Sequence, residues 1–283
     1  MKYFIAVIVL ISAAGYAYAL PHPKEEVTYR LFNDKVNVRS QPAIDGSIIA
    51  NLPAGAEITV LEKTKITLDI DGFIDYWYRV KLADDTTGFV WGGFLANHSI
   101  TLDIDNDHEN ELLLIKNVSS GAYSLRFDLD RNSLRSDTQI KDYHPLYFKC
   151  LKKRKVLFTS TAFKGFGETH ISRISYHSIP GIAGSGVKFI DIEYSGEDDI
   201  GGHGKSLLYY SNNTLSEVFG IFHGGEGDSA SDFRIIYPAD KGGVKNTLRV
   251  IVTQYWYPGD KPTITSKHTE DYVWNSKSLK FDR

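Results

Sequence analysis

The sequence predicts an all-β protein in two parts, and three observations carry that prediction. Short runs of alternating apolar and polar residues recur along the 283-residue chain, separated by turn-forming clusters. Tyrosine and phenylalanine (17 and 15 residues) and 24 glycines dominate over a single methionine, a composition suited to strands joined by tight turns. After residue 100 no stretch shows the 3.6-residue periodicity of an amphipathic helix longer than a few turns.

The N-terminus, MKYFIAVIVLISAAGYAYALP, is expected to be a signal peptide spanning residues 1–19. Lys2 precedes an apolar run from Phe4 to Ile11, and the small-x-small triplet Ala17-Tyr18-Ala19 precedes Leu20 and Pro21. The uncharged stretch ends in small and helix-breaking residues, which disfavours a membrane anchor. Cleavage near Ala19 leaves about 264 residues, enough for one large or two ordinary domains. The only cysteine, Cys150, cannot form an intramolecular disulfide, and this points to a bacterial periplasmic or extracellular protein. Cys150 lies within the strand-like run LYFKCL, as a buried, inert thiol would. The net charge of −3 arises from interspersed signs, so no basic face invites nucleic acid. Lys152-Lys153-Arg154-Lys155 reads as a solvated strand end or turn.

Strands are expected in order from Val27 to about Asn97. Val36-Asn37-Val38 alternates and is stopped at Pro42; Ile48, Ile49 and Leu52 lead into the turn Pro53-Ala54-Gly55-Ala56. Glu57 to Leu61 alternates again, and a long polar loop follows from Glu62 to Tyr76. Trp77 to Leu82 and Thr87 to Trp91 form a hairpin across Ala83-Asp84-Asp85-Thr86. In the first of these, Trp77 and Arg79 share one face, Tyr78 and Val80 the other.

The linked pieces VNVRSQP, NLPAGAEITVLE, WYRVKL and TGFVWGGFL, in this order, resemble the bacterial SH3-like (SH3b) domain over residues 27–97. The resemblance implies a small barrel that binds peptidoglycan, a cell-wall peptide or another extended ligand, without catalysis of its own. It also implies an aromatic groove, for which Tyr76, Tyr78, Trp91 and Phe94 are the candidates, with Trp77 structural.

Residues 100–283 form the second part, a β-rich domain that is propeller-like or a β-sandwich. Ile100-Thr101-Leu102 runs into DIDNDHENEL and Leu112 to Ile115 leaves it. Calcium takes six to eight oxygens, and a tight loop can supply them from alternate residues. Asp103, Asp105, Asp107 and Glu111 stand at positions one, three, five and nine, with the Glu109 carbonyl at the seventh. The EF-hand spacing is excluded, since its sixth and twelfth positions hold His108 and Leu114. The pattern resembles the calcium loops of FG-GAP propeller repeats, in which a glycine is common where His108 stands. Asp191 to Asp199 repeats the oxygen spacing 88 residues on, and Asp128 to Asn132 begins a third copy.

Other motifs point to turns rather than chemistry. Gly201-Gly202-His203-Gly204-Lys205-Ser206 lacks the first glycine of a phosphate-binding loop and is followed by a strand-like run. His203, His223, Glu226 and Asp228 lack the spacing of a zinc site. Strands are expected at 187–194, 206–210, 233–238, 247–257 and 272–281; the fourth is the most apolar, and Trp256, Tyr257 and Trp274 are expected to anchor the core. The function expected is a non-catalytic binding protein whose second domain meets a protein partner and takes calcium. Its rivals are an inhibitor of a cell-wall hydrolase, acting through Phe222 to Asp228, and a glycan- or wall-degrading enzyme using Glu226 and Asp228.

Overall fold

The computed structural model describes residues 27–70, 73–117, 144–165, 169–182, 187–196, 202–226, 229–259 and 261–283. The expected signal peptide and Asp128–Asn132 lie outside these residues. The fold is all-β, with four antiparallel sheets and, among the described residues, a single 3₁₀ turn at Gly92–Phe94 as its only helix.

Sheet I is the barrel. It comprises β1 (Val27–Arg30), β2 (Val36–Arg39), β3 (Ile48–Leu52), β4 (Glu57–Ile70), β5 (Phe73–Lys81) and β6 (Thr87–Trp91), in spatial order β1-β4-β5-β6-β2-β3. Its core is small and aliphatic: Leu31, Val36, Val38, Ile58, Val80 and Val90 are all at most 2 % exposed. The polar loop expected between Glu62 and Tyr76 is instead hairpin: β4 runs on to Ile70, and Leu68, Asp69 and Ile70 pair with Asp75, Ile74 and Phe73. The alternating Ile66, Leu68 and Ile70 carry β4 beyond the expected end of the strand.

The second part is three further sheets, each following the chain as a meander. Sheet II holds β7 (His98–Leu102), β8 (Glu111–Asn117), β9 (His144–Lys152) and β10 (Lys155–Gly165). Sheet III holds β11 (Thr169–Ser178), β12 (Lys188–Gly196), β13 (His203–Ser211) and β14 (Thr214–His223). Sheet IV holds β15 (Gly225–Glu226), β16 (Ser229–Ile236), β17 (Thr247–Trp256), β18 (Thr263–Asn275) and β19 (Lys280–Asp282). Two hairpins turn on left-handed residue pairs, Asn212-Asn213 (φ 50° and 59°) and Lys153-Arg154 (φ 50° and 66°). Asparagine accepts that conformation readily; lysine and arginine do not.

The sheets stack face to face in chain order. Leu113, Ile115, Phe148 and Cys150 of sheet II meet Ile190, Ile192, Tyr194 and Leu208 of sheet III in one buried cluster. Phe189 and Leu207, on the opposite face of sheet III, meet Leu248, Val250, Val252, Trp274 and Phe281 of sheet IV in another. Sheet III is therefore covered on both sides, which is why consecutive residues such as Phe189 and Ile190 are both apolar and buried. Three stacked blade-like meanders replace the two-sheet sandwich that was one expectation. As expected, β17 is central in its sheet and Trp274 is in the core, but Trp256 and Tyr257 are not: they lie 48 % and 37 % exposed at the far end of β17. Cys150 is fully buried and its thiol pKa is pushed up to about 12 by burial.

A fourth cluster joins barrel to stack. Leu114 and Leu151 of sheet II pack on Ala54 and Ala96, with Phe32 and Leu112 alongside. The Lys149 ammonium donates to the Phe32 carbonyl at 2.6 Å, and Asn97 N–H to the Ile115 carbonyl at 2.9 Å.

Candidate functional site

Two regions carry chemistry: the aromatic corner of the barrel and the acidic loop at the head of sheet II. In the corner, Tyr76 and Tyr78 share one face of β5, Trp91 of β6 is paired with Trp77 on the other, and Phe94 stands in the 3₁₀ turn that follows β6. Trp91 stands edge-on to Phe94 with ring centroids 5.0 Å apart. Its indole N–H is shared between the carbonyls of Leu68 and Asp75 at 3.1 and 3.2 Å, and the residue is 4 % exposed. Trp91 thus forms the wall behind the corner, as does Trp77, its cross-strand partner, also 4 % exposed. Tyr76, Tyr78 and Phe94 are each half-buried, Tyr78 and Phe94 packing on the barrel core.

Charged groups surround these rings. Lys63 Nζ lies 3.8 Å from the centre of the Tyr76 ring, a cation–π contact. Asp75 accepts the Tyr76 N–H at 2.7 Å, and burial raises its carboxyl pKa. Lys116, reaching in from β8, donates to the Leu95 carbonyl at 3.2 Å; burial lowers its pKa to about 8, against the pull of Asp75. Gly92 is required here, because a Cβ would meet the Asp75 carboxylate at 2.7 Å as well as the Tyr78 ring. Asp75, Lys63 and Lys116 were not among the expected site residues. Lys116 in particular approaches from a different sheet, a proximity that local pattern does not encode.

The acidic loop joins β7 to β8, with Leu102 and Glu111 paired at its base. Asp103, Asp105 and Glu111 each bring a carboxylate oxygen to within 4.8 Å of the others, the one such convergence of three metal-ligating groups among the described residues. The backbone wraps onto these side chains. Asp103 accepts the N–H groups of Asp107 and His108 at 3.0 and 3.1 Å through its two oxygens, and Asp107 accepts that of Glu109 at 3.0 Å. Asn106 and His108 hold left-handed conformations (φ 59° and 67°), so His108 makes the turn that glycine would make more cheaply. Below the loop, Tyr176 donates to the Asp103 carbonyl at 2.9 Å.

Glu111 is wholly buried. Its Oε2 accepts the Ile104 N–H at 2.9 Å; its Oε1 has no aligned hydrogen bond, although the Lys152 ammonium is 3.0 Å away. Lys152 also reaches Asp105 at 2.8 Å and Asp107, which lowers the Asp107 carboxyl pKa. The Glu109 carboxylate turns outward to Lys153 at 2.7 Å. Three of the four expected carboxylates, Asp103, Asp105 and Glu111, therefore converge, and Lys152, read from sequence as part of a solvated turn, ties Asp105 and Glu111 to the fourth, Asp107. Beside the loop, a cleft of about 590 Å³ separates barrel from sheet II, lined among others by Arg30, Glu57, Asn110, Lys153 and Arg154.

The remaining candidates resolve otherwise. Asp191 and Glu193 are on β12, not in a loop, and Lys205 bridges them at 2.8 and 3.0 Å. Asp191 is one of alternating residues on a strand whose Ile190 and Ile192 face the other side, so the second calcium-loop expectation is corrected on these residues. Gly204 lies within β13, where its missing Cβ leaves room for the Tyr194 ring, and the following strand is the one expected. His203 and His223 are cross-strand partners, but their ring nitrogens face Asp232 at 3.1 Å and Ser231 at 2.9 Å. The Glu226 side chain and Asp228 lie outside the described residues.

The six-stranded antiparallel barrel of sheet I is the small barrel that the sequence led us to expect. The comparison with known families agrees: residues 34–96 match the model of the bacterial SH3 domain, and this segment is such a domain. No curated protein matches the chain.

Proposed function

We propose that this is an exported bacterial binding protein without catalytic activity, working in the periplasm or outside the cell. In this reading the SH3 module holds peptidoglycan or an extended cell-wall peptide against Tyr76, Tyr78 and Phe94, and the sheet stack presents its loops to a protein partner. The observation that carries it is the SH3 family match at residues 34–96, a domain type suited to wall or peptide recognition. Half-buried aromatic faces flanked by Lys63 fit a ligand with both apolar and polar edges. Co-sedimentation of the full chain with purified sacculi tests it. Binding should be lost or weakened at least tenfold in Tyr76→Ala, a partly exposed position outside the barrel's buried core. Absence of the wild-type protein from the sacculus pellet would count against the wall as its ligand.

A second reading concerns the loop from Asp103 to Glu111, for which we propose a structural calcium ion. The convergence of Asp103, Asp105 and Glu111 favours it, since a hard divalent cation neutralises carboxylates that otherwise repel. Melting in excess chelator and then in millimolar calcium should show a rise, on the order of 2.7 kcal/mol at a hundredfold excess over Kd. The rise should vanish in Asp105→Ala.

A further inference from the structure

The acidic loop already holds a positive charge, and that charge is tethered. Lys152 closes β9 and sends its ammonium across to the neighbouring β7–β8 loop, 2.8 Å from Asp105 Oδ2 and 3.0 Å from Glu111 Oε1, with Asp107 also in contact. Two observations beyond the clustering of acids mark this as a cation position. The ammonium sits where the carboxylates converge, so a cation is present there. Moreover, Glu111 is fully buried and its Oε1 has no aligned hydrogen bond, so the lysine satisfies it only partly. Charge points the same way: the carboxylates of Asp103, Asp105, Asp107, Glu109 and Glu111 are opposed by Lys152 and Lys153, leaving an excess of negative charge. A monovalent ammonium is a compact, strongly hydrated point charge on a flexible stem.

We propose that Lys152 is an exchangeable internal counter-cation: a hard divalent cation such as calcium takes its place in the loop, and affinity for the metal is set by competition with this side chain. The proposal rests on the calcium reading of the loop and adds to it the group that metal must displace. Calcium–oxygen distances of about 2.3–2.6 Å are shorter than the 2.8 and 3.0 Å that Lys152 makes to Asp105 and Glu111, so these two carboxylates draw inward as the ammonium leaves.

Calorimetric titration of calcium chloride into the full chain tests this, using wild type, Lys152→Met and, as a control for charge alone, Lys153→Met. Lys153 is largely exposed and pairs with Glu109 outside the convergence. Lys152→Met should bind calcium at least tenfold more tightly than wild type, and Lys153→Met should differ little from it. Equal affinity in wild type and Lys152→Met would overturn the exchange while leaving the calcium reading intact. Binding by neither would sink both. Binding by Lys152→Met alone would overturn the exchange, since the lysine would then hold the loop against the metal in the native chain.

Because Lys152→Met leaves Glu111 without its counter-ion, a second measurement uses wild type only. Amine-reactive labelling followed by mass spectrometry should show Lys152 modified several-fold faster in calcium than in chelator. An unchanged rate with calcium bound would overturn the proposal.

Discussion

Replacing Leu114 by alanine should detach the barrel from the sheet stack without dismantling either. Leu114 is fully buried and packs on Ala54, Ala96 and Leu151, whereas its neighbour Leu113, equally buried, points through the sheet into the cluster shared with sheet III. Leucine-to-alanine changes in cores cost about 2–5 kcal/mol, the cost depending on how far the site can collapse. Around Leu114 the neighbours Ala54 and Ala96 are too short to move in, so a loss of about 3–4 kcal/mol is expected. At roughly 2–4 °C per kcal/mol for a chain of this size, melting should fall by about 6–16 °C. The two variants should differ in kind as well as in amount. In scanning calorimetry Leu114→Ala should split the transition, the barrel melting apart from the rest, and limited proteolysis should cut near Asn97. Leu113→Ala should lower the stack's transition and leave the barrel docked. Identical single transitions in both variants would refute the assignment of the seam to this cluster.

Three further outcomes follow from the packing. Gly55→Ala should destabilise by about 1–2 kcal/mol from its left-handed backbone alone, and more because a Cβ there would meet Leu151 Cδ1 at 2.8 Å; urea denaturation reads the difference. The Cys150 thiol, buried and with its pKa pushed up to about 12, should react with a maleimide only as the protein unfolds, and fast labelling of the native state would contradict its place in the core. Lys116, with its pKa depressed from 10.5 to about 8, binds its proton less tightly when folded, so its contribution to stability should rise with pH across that window. Urea midpoints between about pH 7.5 and 9.5 should climb more steeply in wild type than in Lys116→Met, and parallel curves would show that Lys116 is not buried as charge.

The barrel was legible because its signals are local: a strand stopped at Pro42, a turn at Gly55 with φ 78°, a hairpin across Asp84-Asp85. The β4–β5 extension was missed although Ile66, Leu68 and Ile70 alternate with Thr67 and Asp69, because the turn residues Asp69 to Gly72 read as part of a long loop rather than as the tip of a hairpin. Size misled for Trp256 and Tyr257, which stand at the end of β17 and are exposed rather than in the core. Spacing misled for Asp191: oxygens at alternate positions describe a calcium loop and a strand's polar face equally well, and only Lys205 on the adjacent strand tells them apart. At the acidic loop the carboxylates were readable in order, while Lys152 was not. It lies 41 positions after Glu111 in sequence and reaches the loop because β8 and β9 pair with Leu112 opposite Leu151.

A linear stack of sheets has two ends, and each must be made fit for water. At the far end sheet IV does this itself: the side of β17 away from the core carries Arg249 and Thr253, opposite Asp271 and Lys267 on β18, with Arg249 and Asp271 joined in a bidentate ion pair. At the near end sheet II offers Leu112, Leu114 and Leu151, and the barrel covers them. The SH3 module is thus the terminal cap of the array. Excising residues 27–97 to study the stack alone would strip that cap and leave a leucine-bearing face to find another partner, so the two parts are best expressed as one chain.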